Sequence, residues 1–191
     1  EILIEGQGIR FKVDCRDAGM SVSDLRTGRA WNTSGDAAGW LLLKAERSPD
    51  RKSVDLTLMN PSTARALRAK ISVAPEAPEL LVEISAAGSL PEPLDFPQPF
   101  ATQAGDRLVV PVNEGIGFPV EESHPGLGRM IAYGGHGICM GFFGVAEDKT
   151  GAGWMCVLET PDDAAMNAFR DAGGLWRAGP SWDACRGDFG Y

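Results

Sequence analysis

Apolar residues in this chain recur at every second position in short runs, and almost nothing recurs at the 3.6-residue period of a helix. The pattern predicts strands at Ile2–Ile4, Ile9–Cys15, Met20–Asp24, Trp40–Ala45, Ser53–Met59, Leu67–Val73, Leu80–Ser85, Leu108–Val112, Ile131–Tyr133, Ile138–Val145 and Trp154–Thr160. Turn residues separate them, among them Arg26-Thr27-Gly28-Arg29, Ser48-Pro49-Asp50 and Asn60-Pro61-Ser62. Short, evenly spaced strands with such punctuation predict an all-β fold, a large two-sheet antiparallel β-sandwich.

Several strands declare their inward face. Val54, Leu56 and Leu58 alternate with Ser53, Asp55 and Thr57, and Leu67, Ala69, Ile71 and Val73 alternate with Arg68, Lys70 and Ser72. Ile138–Val145 is apolar on both faces, which places it centrally. One short helix is expected from Asp162 or Asp163 to Ala172, opened by Pro161 and closed by Gly173-Gly174. From Leu90 to Phe100, four prolines alternate with Leu94, Phe96 and Phe100. They remove four backbone donors, so this segment is expected as a crossover pinned by its aromatic rings rather than as an interior strand. The domain is expected over residues 1–172, with 173–191 as a tail or linker.

Composition narrows the function classes. The chain has 191 residues, 43% hydrophobic and 23% charged, which suits one globular domain. Eighteen basic against twenty-six acidic side chains give a net charge of −8, which repels a nucleic-acid backbone. The longest apolar runs, such as Ile138–Val145, are too short for a membrane-spanning helix. A start at Glu1 without Met is read as a removed leader or tag. The cysteines Cys15, Cys139, Cys156 and Cys185 form no CxxC or Cys/His cluster, so no zinc site is expected. Cys139 and Cys156 fall slightly out of register across a hairpin, so no disulfide is expected between them.

The order of motifs carries a resemblance. The pieces are Val22-Ser23-Asp24-Leu25-Arg26-Thr27-Gly28-Arg29-Ala30-Trp31, Phe96-Pro97-Gln98-Pro99-Phe100, Leu108 to Val120, Met140-Gly141-Phe142-Phe143-Gly144-Val145 and Glu159-Thr160-Pro161-Asp162-Asp163-Ala164. In this order they resemble the galactose mutarotase-like (supersandwich) β-sandwich that precedes the (β/α)8 barrel of several glycoside hydrolases, in particular enzymes related to endo-α-N-acetylgalactosaminidase. The resemblance implies that catalytic carboxylates belong to a downstream barrel, to which Phe189-Gly190-Tyr191 looks like the approach. It also implies oligosaccharide or polysaccharide partners and a secreted or periplasmic location.

Candidate site residues each have a bland reading beside the functional one. Glycoside hydrolysis needs two carboxyl groups about 5–5.5 Å or about 6.5–9.5 Å apart. Glu159, Asp162 and Asp163 offer such a pair, a carbohydrate or Ca2+ contact, or a helix cap with no ligand. Calcium wants about six to eight oxygens, more than this motif supplies alone. Glu114 precedes Gly115, where a tight bend would aim it outward toward a cleft, or leave it a plain loop residue. His136, in Tyr133-Gly134-Gly135-His136-Gly137, and His124 are the two histidines, a thin set for mutarotase-like acid–base chemistry. Trp176 and Trp182 are read either as a sugar-stacking platform or as staples to a neighbouring domain.

The expected function is thus a non-catalytic accessory domain of a carbohydrate-active enzyme, packing on a barrel and shaping a glycan cleft. A free-standing carbohydrate-binding module and a mutarotase-like epimerase are the alternatives.

Overall fold

The computed structural model describes residues 1–33, 39–122, 127–134, 137–184 and 187–191. The chain divides into two compact units, residues 1–91 with 184–191, and residues 92–183. All regular structure among the described residues is β, and its strand pairs are antiparallel. The strands are distributed over four sheets, not the two that the pattern predicts: the strands read from alternation, Ile131–Tyr133 apart, already fall into three, and segments read as crossover, helix and tail build most of the fourth.

The first unit begins with a meander of β1 (Ile2–Gly6), β2 (Ile9–Val13), β3 (Met20–Asp24) and β4 (Ala30–Asn32). Ile4, Phe11, Val13, Met20 and Trp31 are its buried side chains. Two of its turns use the same device. Asp14 accepts the Arg16 backbone N–H and pairs with the Arg16 guanidinium, and Asp24 does both with Arg26. Each carboxylate thereby satisfies turn donors that no ladder reaches. Gly28, at φ +77°, completes the second turn, donating its N–H to the Asp24 carbonyl.

The second sheet of this unit contains β5 (Leu41–Arg47), β6 (Ser53–Asn60), β7 (Arg65–Val73) and β8 (Leu80–Ala86). As expected from the alternation, Val54, Leu56, Leu58, Leu67, Ala69 and Ile71 are each 2% exposed or less. Each of the Val, Leu and Ile side chains contributes roughly 1.5–3 kcal/mol by leaving water. On the opposite face, Lys70 stands between Asp55 and Glu83 on the flanking strands, so its charge is compensated from both sides. The two sheets meet along β1: Arg47 donates to the Leu3 carbonyl, Lys52 donates to that of Glu5, and a Cβ on Gly6 would lie 2.9 Å from Val73.

The second unit holds β9 (Leu94–Asp95), β10 (Phe100–Ala101), β11 (Asp106–Val110), β12 (Ile116–Pro119), β13 (Arg129–Ile131), β14 (Phe142–Glu147), β15 (Gly153–Val157), β16 (Ala164–Arg170) and β17 (Trp176–Trp182). A last strand, β18 (Phe189–Gly190), pairs with β8 in the first unit. One sheet of the second unit runs β12-β11-β14-β15, and the other runs β10-β17-β16-β13 with β9 also on β17. The central position expected for the run ending at Val145 is found, although its strand begins only at Phe142.

The expected helix after Pro161 is not formed. Ala164–Arg170 is β16, paired with β17 along its whole length from Ala164↔Trp182 to Arg170↔Trp176. Helix propensity in this alanine-containing run is overridden by a ladder that buries Ala164, Met166 and Ala168 against β17. Residues 173–191, read as a tail, supply that partner: β17 is an interior strand.

Pro180 is tolerated there for a geometric reason. On β17 the Trp176 carbonyl accepts from Thr102 on the β10 side, whereas Asp183 donates to Asp163 on the β16 side. Backbone groups alternate sides along a strand, so the missing N–H of Pro180 faces the side of β9 and β10. There the ladder is interrupted between Asp95 and Phe100, by the segment Phe96-Pro97-Gln98-Pro99 with a cis Phe96–Pro97 bond. The proline-rich stretch is thus an edge strand broken in the middle and anchored by Leu94 and Phe96, at 2% and 3% exposure. Its prolines pass so close to β17 that a Cβ on Gly179 would stand 2.8 Å from the Pro99 Cα.

Two predictions follow from this packing. Gly179→Ala is expected to cost about 1–3 kcal/mol in urea unfolding by forcing Pro99 away, while Gly128→Ala, with open space around it, stays within about 0.5 kcal/mol. The Asp24 carboxyl is held down to about 2 from its ordinary 3.8, chiefly by the Arg26 side chain, against the opposing effect of burial. A depressed carboxyl stabilises the folded state above its unfolded value and loses that contribution as pH falls. The stability gap between wild type and Asp24→Asn should therefore be full above pH 3.8 and close as pH drops through about 2.

Candidate functional site

One end of the second unit gathers four loops. β11 and β12 pair as far as Val110↔Ile116, and the tip between them is closed by Val112 and Gly115 N–H groups donating to the Val110 and Val112 carbonyls. Asn113 at φ +53° and Gly115 at φ +90° give this tip the bend expected at the glycine, and Glu114 between them is exposed. Next to the tip, Cys139 donates to the Pro111 carbonyl, which brings in Cys139-Met140-Gly141. Leu158 donates to the Gly141 carbonyl and so adds the turn that carries Glu159, Asp162 and Asp163. Finally Ala132 donates to Ala164, and Tyr133 to Ile138, drawing in the glycine-rich loop.

Glu114, Glu159, Asp162 and Asp163 therefore share one end of the fold, although they come from segments nearly fifty residues apart. Glu159 and Asp162 are exposed and Asp163 is half-buried. The turn is not the start of a helix, so capping does not explain the two aspartates. Among the described residues, no three His, Cys, Asp or Glu side chains converge as a metal site. Arg129 donates to Asp183 at 2.5 Å and to the Ser181 hydroxyl at 3.3 Å.

The tryptophans behave differently from the platform reading. Trp176 is 4% exposed and Trp182 7%, both on β17, so neither ring presents a face to a sugar. Gly and Pro around them suggested an exposed loop, whereas strand pairing puts them in the core. His136 and His124 lie outside the described residues, as does Cys185.

Sequence reasoning missed Tyr133. It is 65% exposed, sits at φ +55°, and its hydroxyl lies 3.4 Å from where a Cβ on Gly141 would stand. A bulky residue held in the left-handed region is a genuine outlier that points toward function. The signal was present in Tyr133-Gly134-Gly135-His136-Gly137, where attention fell on the histidine. The loop is tight enough that a Cβ on Gly137 would overlap the Ile131 carbonyl oxygen.

These features define an all-β domain with an acidic, aromatic loop end. No family model and no curated relative matches the chain. Among solved structures, the fold is shared with the α-N-acetylgalactosaminidase NagBb from Bifidobacterium bifidum, a glycoside hydrolase. Its ligand-free form matches with a TM-score of 0.68 at 16% identity, over 95% of this chain and 33% of that one. Its GalNAc complex matches with 0.71 at 14%, and its Gal-NHAc-DNJ complex with 0.72 at 14%, each over 100% of this chain and 35% of that one. At such identity the likeness is one of fold, and the chain spans about a third of the length of the enzyme it matches. This likeness of fold to a glycoside hydrolase agrees with the resemblance drawn from the sequence. The galactose mutarotase-like assignment gains no support from it. Among the described residues no helix is long and apolar enough to cross a membrane.

The thiols here give a direct test of the loop geometry. Cys15, Cys139 and Cys156 are free, and Cys156 faces Phe143 across the hairpin, four positions past Cys139. Burial pushes the Cys156 thiol up to about 12, so it holds little reactive thiolate near neutrality. Alkylation of the native protein followed by peptide mass mapping should mark Cys15 and Cys139 and spare Cys156 until unfolding. A peptide crosslinked between Cys139 and Cys156 would contradict this.

Proposed function

We propose that this chain is a non-catalytic accessory β-sandwich domain of a glycoside hydrolase, packed on a (β/α)8 barrel of a longer polypeptide. Its loop end, with Glu114, Tyr133, Glu159, Asp162 and Asp163, forms one wall of the glycan cleft. The observation that carries this reading is the fold match, in which all of this chain corresponds to a third of an enzyme also solved with GalNAc. The open setting of the carboxylates supports it further, since bond cleavage then falls to groups outside this domain. Oligosaccharides are the proposed partners, and a secreted or periplasmic location goes with such substrates.

The test is enzymatic. A longer polypeptide that includes these residues should hydrolyse aryl α-N-acetylgalactosaminides or related glycosides, and the 191-residue chain alone should not. Removing this domain from the active protein should lower kcat/KM by about 100-fold or more, the scale on which misplaced binding elements act. Turnover by the isolated chain, or coding sequence downstream that contains no barrel, would overturn the reading.

A further inference from the structure

On its outward face the sheet β12-β11-β14-β15 carries a hollow. Val109 stands on β11 between two glycines, Gly117 on β12 and Gly144 on β14. With no side chain at either paired position, the surface dips at Val109; Phe142 lies on the same face, and Ile116 and Met140 also line the hollow. The resulting groove has a volume of about 360 Å³ and also touches Pro111, Asn113 and Glu114. That size is at the small end of ligand sites, which run from roughly 300 to 1,000 Å³.

We propose that this groove is a saccharide subsite for a single pyranose ring, an inference that rests on the glycan-directed function above. A pyranose offers an apolar patch of C–H groups on one face and hydroxyls around its rim. Phe142, Met140 and Val109 supply an apolar floor for the first, as aromatic and aliphatic faces do for sugar C–H groups. At the groove edge, the Glu114 carboxylate accepts from hydroxyls and the Asn113 amide both donates and accepts. The left-handed Asn113 and Gly115 fix the backbone of the hairpin tip that carries this edge. A protein partner is the less fitting occupant: stable interfaces bury about 1,200–2,000 Å², and covering that much of this face would also bury the half-exposed Arg107–Asp148 ion pair.

Gly117 provides a clean test. A Cβ there would approach only the Arg107 side chain, at 3.7 Å, and its φ lies outside the left-handed region. Gly117→Val should therefore fold as well as wild type, since a β-branched residue suits a strand, while its side chain fills the hollow. Amide chemical shifts of the 191-residue chain would be followed during titration with GalNAc, galactose and glucose. Saturable shifts are expected at Val109, Asn113 to Gly117 and Phe142. Glu114→Ala should weaken binding about tenfold through loss of charged hydrogen bonds. Gly117→Val should abolish it with an unchanged melting curve. The proposal fails if none of the three sugars shifts these amides, or if Gly117→Val binds like wild type. Shifts confined to Tyr133 and Glu159 to Asp163 would also sink the groove while leaving the glycan reading standing. Protection of the groove amides from exchange in a longer chain without sugar would make it a domain contact instead. Conversely, groove binding in a protein whose longer form cleaves no glycoside would preserve the subsite and overturn the accessory-domain reading.

Discussion

The ladder around β17 is the constraint on which the second unit depends. One edge of this strand pairs with β16 over its full length, and the other pairs with β9 and β10. Gly179 sits at the crossing, where the proline-rich segment leaves no space for a side chain. Because β17 is held from both sides, Trp176 and Trp182 turn inward and Pro180 finds the one stretch of edge that asks nothing of its nitrogen. The loops that carry the acidic residues hang on the same framework: Ala164 opens β16, and its carbonyl accepts from Ala132 beside Tyr133. The candidate site is therefore positioned by strands whose own residues never approach it.

What the sequence revealed follows from how local each signal was. β6 and β7 could be read directly, since strict alternation in Ser53–Met59 and Leu67–Val73 reports burial on one face. β3 matched to the residue, bounded by turns of unambiguous chemistry. β16 was read as a helix because Pro161, the aspartates and Gly173-Gly174 imitate helix boundaries, and the evidence against it lay in a partner strand further along. β17 was invisible for the complementary reason. Trp-Arg-Ala-Gly-Pro-Ser-Trp has the composition of a loop, and only long-range pairing with β16 and the interrupted edge makes it a strand. The two-sheet expectation failed for another reason: alternation reports which face of a strand is buried but not which strands share a sheet, and the strands it revealed, β13 apart, fall into three.

At the site, the acidic residues were legible as types but not as a group. Glu114 stood out beside a glycine, and Glu159, Asp162 and Asp163 as a cluster, yet their convergence depends on backbone bonds through Pro111, Cys139, Gly141 and Leu158. Aromatic residues were legible in neither sense. Trp176 and Trp182, in a stretch rich in glycine and proline, proved buried, while the exposed Tyr133 was hidden by its histidine neighbour in the same motif.

The paired Asp-x-Arg clasps of the first sheet bear on the order in which the molecule assembles. Their partners are two residues apart, so β2, β3 and β4 can zip together from neighbours in the chain as soon as they exist. Other pairings join residues far apart in the chain: in the second unit Thr102 waits for Trp176, 74 residues later, and in the first β8 waits for β18. Contacts of long sequence separation form slowly. During synthesis the amino-terminal meander can thus form early, while the proline-rich segment remains without its ladder until β17 has been made.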